Sequence, residues 1–201
     1  MSSLAAPSPT VAQLFRPTDR AKGLLYDIML VLGASWFVAL CAQIAIPMPS
    51  GVPVTGQTFA VLLVGALLGS NRGAAALSVY LLQGAFGLPV FAQWTPFMPV
   101  LTSGYIVGFI PAAYVVGWLA ERGWDRNVLS TAAAMTIGTA IIFLFGLAWL
   151  FSLASTAMEG APATNAVLAA GLWPYLPGAA IKIVLAMALL PAGWKLLGRR
   201  G

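Results

Sequence analysis

Long apolar runs, separated by short polar or turn-rich stretches, organise this chain. The runs are Leu24 to Ile46, Thr58 to Leu68, Ala74 to Phe86, Leu101 to Leu119, Val128 to Phe151 and Pro177 to Leu197. The first is long enough to cross a bilayer as a helix, and Pro47 and Pro49 stop it. The second and third each fall below the ~17 residues a straight span needs. They flank a tight turn at Gly69-Ser70-Asn71-Arg72-Gly73. Either they extend into their flanking loops as two spans, or they form a re-entrant pair. Between the runs lie a Pro/Gly-dense loop before Gln57, a loop rich in Pro, Trp and Phe from Gly87 to Val100, and a small-residue loop from Ser152 to Gly171 whose only charge is Glu159. Pro177 opens the last run, a good first helical position. The pattern predicts an all-α membrane protein with six transmembrane helices over residues 23–201.

The charges orient it. Arg16, Arg20 and Lys22 precede the first run, Arg72 lies between the second and third, Arg122 and Arg126 between the fourth and fifth, and Lys195, Arg199 and Arg200 close the last. The alternate gaps, 47–56, 87–100 and 153–172, carry no Lys or Arg. Because Lys and Arg are retained on the cytoplasmic side, both termini are expected there, with an even number of spans. The two-span reading of the short runs keeps this pattern consistent at Arg72. Asp27 falls near the cytoplasmic end of the first helix, where Lys22 can pair with it. Residues 1–22 are polar and Pro/Ser-rich, without an apolar core of signal-peptide length, and read as a flexible cytoplasmic tail.

Composition narrows the class. Hydrophobic residues make up 60% and charged residues only 7%, against about 25% charged in a soluble domain. Mean hydropathy is +0.92. Six helices and their connections leave no room for a soluble catalytic or nucleotide-binding domain. No phosphate-binding Gly-rich loop or paired-carboxylate site is present, so neither an enzyme nor an ATP-hydrolysing subunit is expected. His is absent and Cys41 is the only cysteine, so no metal site, cofactor or disulfide framework is expected. The net charge of +5 is accounted for by cytoplasmic anchors and does not indicate a nucleic-acid partner.

One basic residue breaks the pattern. Lys182 lies inside the last apolar run, about one and a half turns past Pro177. An ammonium there is costly unless it meets a cavity, water or a partner. Either it snorkels to the outer interface, or it waits for an anionic ligand, which the positive end of its helix also favours. Thr55, Gln57, Tyr80, Gln83, Thr102, Tyr105 and Thr139 lie in or beside apolar runs, several near the same outer side. Each can be a helix-packing group or a hydrogen-bonding group for a small solute. With Phe91, Trp94 and Phe97 they suggest a pocket under an aromatic lid. Small residues four apart in the first helix, Ser35 with Ala39 and Cys41 with Ala45, mark a face another helix can approach closely.

Three stretches then resemble a known family. They are Pro-Val-Thr-Gly-Gln-Thr-Phe-Ala-Val-Leu-Leu-Val-Gly-Ala-Leu-Leu-Gly at 53–69, Gly-Leu-Pro-Val-Phe-Ala at 87–92 and Ser-Gly-Tyr-Ile-Val-Gly-Phe at 103–109. Gly-Trp-Asp-Arg at 123–126 and Leu-Pro-Gly-Ala-Ala-Ile-Lys at 176–182 extend the match over residues 23–200. The set resembles the BioY family, the biotin-binding S component of energy-coupling-factor transporters. The resemblance implies a six-helix subunit of the bacterial inner membrane that captures biotin, or a related small anionic vitamin or precursor such as dethiobiotin, from outside. Import is then driven by a coupling subunit and ATPase subunits. It implies Lys182 against the ligand carboxylate, Gln57, Tyr80, Gln83, Tyr105 and Thr139 as lining, Trp94 and its loop as closure, and Ser35 and Ala39 on the docking face for the coupling module. Three positions depart from the family's usual residues. Ala179 and Gln83 stand where an acid is common, and Thr139 where many members have Asn. A non-transporting structural membrane protein is the alternative of a different class.

Overall fold

The computed structural model describes residues 8–157 and 164–198. Arg199, Arg200 and Glu159 lie outside the described residues.

Eight α-helices follow one another among the described residues: α1 (Val11–Leu14), α2 (Arg20–Ala42), α3 (Gln57–Leu68), α4 (Ser70–Ala85), α5 (Ser103–Ala120), α6 (Val128–Ala157), α7 (Thr164–Gly171) and α8 (Leu176–Gly198). A small antiparallel hairpin joins α2 to α3, with β1 (Ala45–Ile46) paired to β2 (Val54–Thr55). Four helical stretches are long and apolar enough to cross a membrane: Arg20–Ala42, Val100–Ala120, Val128–Thr156 and Thr164–Gly198. α3 and α4 have 12 and 16 residues, so at 1.5 Å per residue they reach roughly 18 and 24 Å, short of a ~30 Å hydrocarbon core. The expected small-residue loop over 152–171 is replaced in large part by helix. α6 runs on to Ala157, and α7 occupies Thr164–Gly171. Ala is the best helix former, and neither Ser152–Ala157 nor Thr164–Gly171 contains Pro, so these Ala-rich pieces can continue a helix as readily as end one.

α5 is the central helix. Of its most apolar stretch 56% is buried, against 17% for those of α6 and α8, whose outer faces are left for lipid. Gly117 and Gly69 are what let α5 reach the α3–α4 corner. A Cβ on Gly117 would lie 2.4 Å from the Gly69 carbonyl carbon, a backbone contact that no side chain can relieve. Gly69 itself has φ +87°, a left-handed conformation glycine adopts without cost. The Glu121 carboxylate then accepts from Ser70 N at 2.9 Å and from Ser70 Oγ at 3.0 Å, satisfying an otherwise unpaired donor at the start of α4. Where lipid replaces water, helices associate by such close backbone approach rather than by hydrophobic burial.

The N-terminal segment differs from a flexible tail as far as it is described. Ser8 N donates to Glu121 O at 2.6 Å, Arg126 Nη2 to Pro9 O at 3.0 Å and Tyr26 Oη to Ala12 O at 3.1 Å. Thr10 and Ala12 are buried. Gln13 Oε1 accepts from Thr10 N at 2.8 Å, so a polar-looking stretch closes one helical turn and buries its small apolar side. Asp27 pairs not with Lys22 but with Arg72 at 2.7 Å and Arg16 at 3.0 Å. Residues five apart point to different sides of a helix, whereas those three or four apart are neighbours.

At this same end Trp194 Nε1 donates to Asp125 Oδ2 at 2.5 Å, and the Arg126 guanidinium lies 4.4 Å from the Trp194 ring centre. Asp125 is 2% exposed. Burial pushes its carboxyl above the usual carboxylate range, against the opposing pull of Trp194 and Arg126. The folded protein thus keeps a proton that the unfolded chain releases. The stability this supplies is complete below the ordinary aspartate value of about 4 and is lost as pH rises through the folded value. Asp125→Asn keeps an acceptor for Trp194 without the charge. Its melting temperature in detergent, relative to the parent, should climb as pH is raised from 4 to 8; a pH-independent difference would contradict this assignment.

Candidate functional site

A cavity of about 350 Å³ opens at the end of the bundle opposite the N-terminal segment. Ligand pockets run from about 300 to 1,000 Å³, so this one suits a small organic molecule. The hairpin and its connection contribute Gly51 to Thr55, and the start of α3 adds Gln57 and Thr58. The loop before α5 contributes Phe91, Ala92, Gln93 and Thr95. Tyr105 and Phe109 come from α5, Thr139 and Phe143 from α6, and Tyr175, Ala179 and Lys182 from the α8 side.

Among the described residues, Lys182 is the only charged one lining the cavity. Its Nζ donates to Thr55 O at 2.5 Å and to Thr58 Oγ1 at 2.7 Å. An ammonium has three N–H donors, so two are accounted for and one is available to an acceptor in the cavity. No carboxylate of the described residues lines the walls to neutralise it. The snorkelling alternative is not what the side chain does: it is held inward by groups of α3 and the hairpin.

The remaining expected residues divide. Gln57, Tyr105 and Thr139 line the cavity, as do Thr55, Thr102 and Phe91. Gln57 is buried, accepting from Thr55 Oγ1 at 2.8 Å and donating to Tyr80 Oη at 2.6 Å. Tyr105 Oη donates to Gly171 O at 2.8 Å, tying α5 to the end of α7. Tyr80 is not a lining residue. It is fully buried behind the wall, donates to Val90 O at 3.2 Å, and meets Phe91 edge-on with ring centres 5.4 Å apart. Gln83 is likewise withdrawn, its Oε1 accepting from Ser35 Oγ at 2.8 Å. Trp94 and Phe97 are 51% and 64% exposed and do not touch the cavity. The loop that carries them forms a wall through Phe91 to Gln93 instead.

Ser35 and Ala39 require a correction. Both are fully buried within this chain, Ser35 against Gln83 of α4. Spacing identifies a close-packing face but not the helix that fills it, and here a helix of the same chain does. In this conformation neither side chain lies on the outer surface of α2.

Four polar lining residues escaped the sequence reading: Thr58, Gln93, Thr95 and Tyr175. Thr58 stood at the edge of an apolar run and read as its boundary. Tyr175 Oη donates to Val52 O at 2.6 Å and lies 2.6 Å from Ser50 Oγ, contacts across more than a hundred residues that no local pattern announces.

A helical membrane protein with a solute-sized, singly charged cavity at one end is the class this fold and site define. The chain belongs to the BioY family, whose pattern matches residues 12–199. It is 38% identical over 165 residues to the protein named biotin transporter BioY of Rhodobacter capsulatus, covering 77% of this chain and 85% of that one. It is 34% identical over 162 residues to the biotin transporter BioY of Rhizobium etli, covering 74% and 83%. The fold is shared with the crystal structure of the S-component for biotin from an ECF-type ABC transporter, at TM-score 0.72 and 18% identity, over 89% of this chain and 95% of that one.

The Tyr105 bond can be tested by itself. Tyr105→Phe leaves the buried Gly171 carbonyl without its donor and should lower stability by about 1–3 kcal/mol, read from unfolding of the ligand-free protein in detergent.

Proposed function

We propose that this chain is the substrate-capturing S component of an energy-coupling-factor transporter and that its ligand is biotin. The observation that carries the reading is Lys182, the one cation among the described residues that line the cavity, with one donor to spare. Biotin is a monocarboxylate with a compact ureido ring. Its carboxylate would take the spare Lys182 donor, while Gln57, Tyr105 and Thr139 line the space around the rest of the molecule. The names of the relatives agree with this ligand. The partners are then a membrane coupling subunit and ATPase subunits, and the location is the bacterial inner membrane.

In the topology we propose, residues 23–201 form six spans with both termini cytoplasmic. The two short helices α3 and α4 are completed by their flanking segments. In support, Arg16 binds Asp27 together with Arg72, and Arg126 meets the N-terminal segment. These basic residues thus share the end opposite the cavity, which then opens outward. Cysteines placed at Arg72 and Glu159 should label from opposite sides of the membrane; labelling from the same side would rule out six spans.

Ala179 lines the cavity at a position where the resemblance leads one to expect an acid. This favours a second reading, a related anion such as dethiobiotin in a retuned pocket. The purified protein should bind biotin saturably, and saturable binding also excludes a purely structural role. Lys182→Met removes a charge-assisted contact worth about 1.5–3 kcal/mol, or roughly 10- to 100-fold in affinity. The loss should vanish for biotin amide, which has no carboxylate. Ala179→Asp separates the two ligands: it should tighten biotin if the pocket is merely weakened, and damage binding of the true ligand if it is retuned.

A further inference from the structure

We infer that Gln43, which does not line the cavity, is a positioning residue that holds the Phe91–Trp94 wall in its ligand-binding shape. The inference rests on the cavity being a ligand site, as proposed above. Gln43 follows the last turn of α2. Its amide is fully used. Nε2 donates to Ala39 O at 2.8 Å and to Phe91 O at 3.1 Å, while Oε1 accepts from Trp94 N at 2.9 Å. The chemistry sets the amide orientation, because turning it over would set NH2 against the Trp94 N–H and the oxygen against two carbonyls.

What Gln43 spans is unusual. Gln93 and Trp94 have φ +59° and +54°, two successive non-glycine residues in the left-handed region. Each such residue is disfavoured unless its surroundings over-determine it, and such strain concentrates at ligand clamps. Gln43 grips both ends of this turn with one side chain. On the near side the turn is fixed further by Phe91, which is fully buried and edge-on to Tyr80. On the far side Trp94 is half-exposed, so the Trp94 N–H bond to Gln43 is its described side-chain restraint. Ala92 and Gln93, between the two grips, form part of the cavity wall. Without Gln43 the turn is free to relax to negative φ, which carries Gln93 away from the cavity.

The test uses Gln43→Met, which keeps the length and bulk of the side chain but makes none of the three bonds. Amide hydrogen exchange of the ligand-free protein should accelerate over residues 91–97 while α3, α4 and α5 stay protected. Biotin should bind about tenfold more weakly, through a slower apparent on-rate, as expected when the binding-competent shape is a minority population. Gln43→Glu keeps an acceptor for Trp94 N but sets its second oxygen against the Ala39 and Phe91 carbonyls, so it too should accelerate exchange over 91–97 and weaken biotin; it also serves if the Met variant does not fold. Unchanged exchange over 91–97 overturns the proposal, as does exchange that rises equally across the whole bundle. Wild-type biotin affinity in both variants overturns it too. If the parent itself fails to bind biotin, the ligand assignment falls, while the exchange result still decides whether Gln43 holds the turn.

Discussion

An ammonium inside a bundle of apolar helices has to be solvated by the protein, because the surrounding lipid offers nothing in exchange. Lys182 obtains that solvation from Thr55 O and Thr58 Oγ1, and the cavity end is built around the consequence. Satisfying the charge pins the hairpin and the start of α3 to α8. Tyr175, just before α8, extends the same connection to Val52 and Ser50. One side of the cavity is therefore closed by groups that answer to a buried charge and a buried hydroxyl. With no carboxylate among the described lining residues, the site keeps its net positive character, which the proposed anionic ligand requires.

The opposite end obeys a different constraint. Here the problem is to bring helices too short to span by themselves into a rigid frame. Gly69 and Gly117 allow backbone contact between the α3–α4 corner and α5, and Glu121 caps the corner from outside. Asp27 gathers Arg72 and Arg16, and the segment from Ser8 to Leu14 lies across the Glu121–Arg126 turn. The frame is thus rigid and charge-rich, whereas the cavity end is made of loops held by a few hydrogen bonds. That division suits a protein that must hold its helices together in lipid while its binding end admits and retains a solute.

Much of this was legible along the chain. Apolar runs located α2, α5, α6 and α8 to within a few residues, because a helix in lipid must be apolar over its length and its ends need turn formers or charge. Lys182 stood out for the same reason: a charge where the pattern forbids one. The resemblance in the 53–69 and 176–182 stretches located the two segments that Lys182 joins. Less legible were the elements whose residues suit more than one environment. The Ala-rich 152–171 stretch read as loop, yet Ser152–Ala157 and Thr164–Gly171 are helical, and the polar segment from Ser8 onward packs on the bundle.

What the sequence by itself determined was the class of protein, the positions of its long helices and the one cation inside an apolar run, since each follows from the cost of placing a side chain or a length of backbone in hydrocarbon. Which polar residues share the cavity was decided only by the tertiary structure. Gln57 and Gln83 are both glutamines at helix positions near the same end, yet one lines the cavity and the other bonds Ser35. Ser35 and Ala39 have the spacing of a docking face, yet both are buried within the chain, Ser35 against Gln83 of α4. Period and composition say that a face is small or polar. Only the rotation of each helix about its axis, set by backbone contacts such as Gly117 on Gly69, says what that face meets.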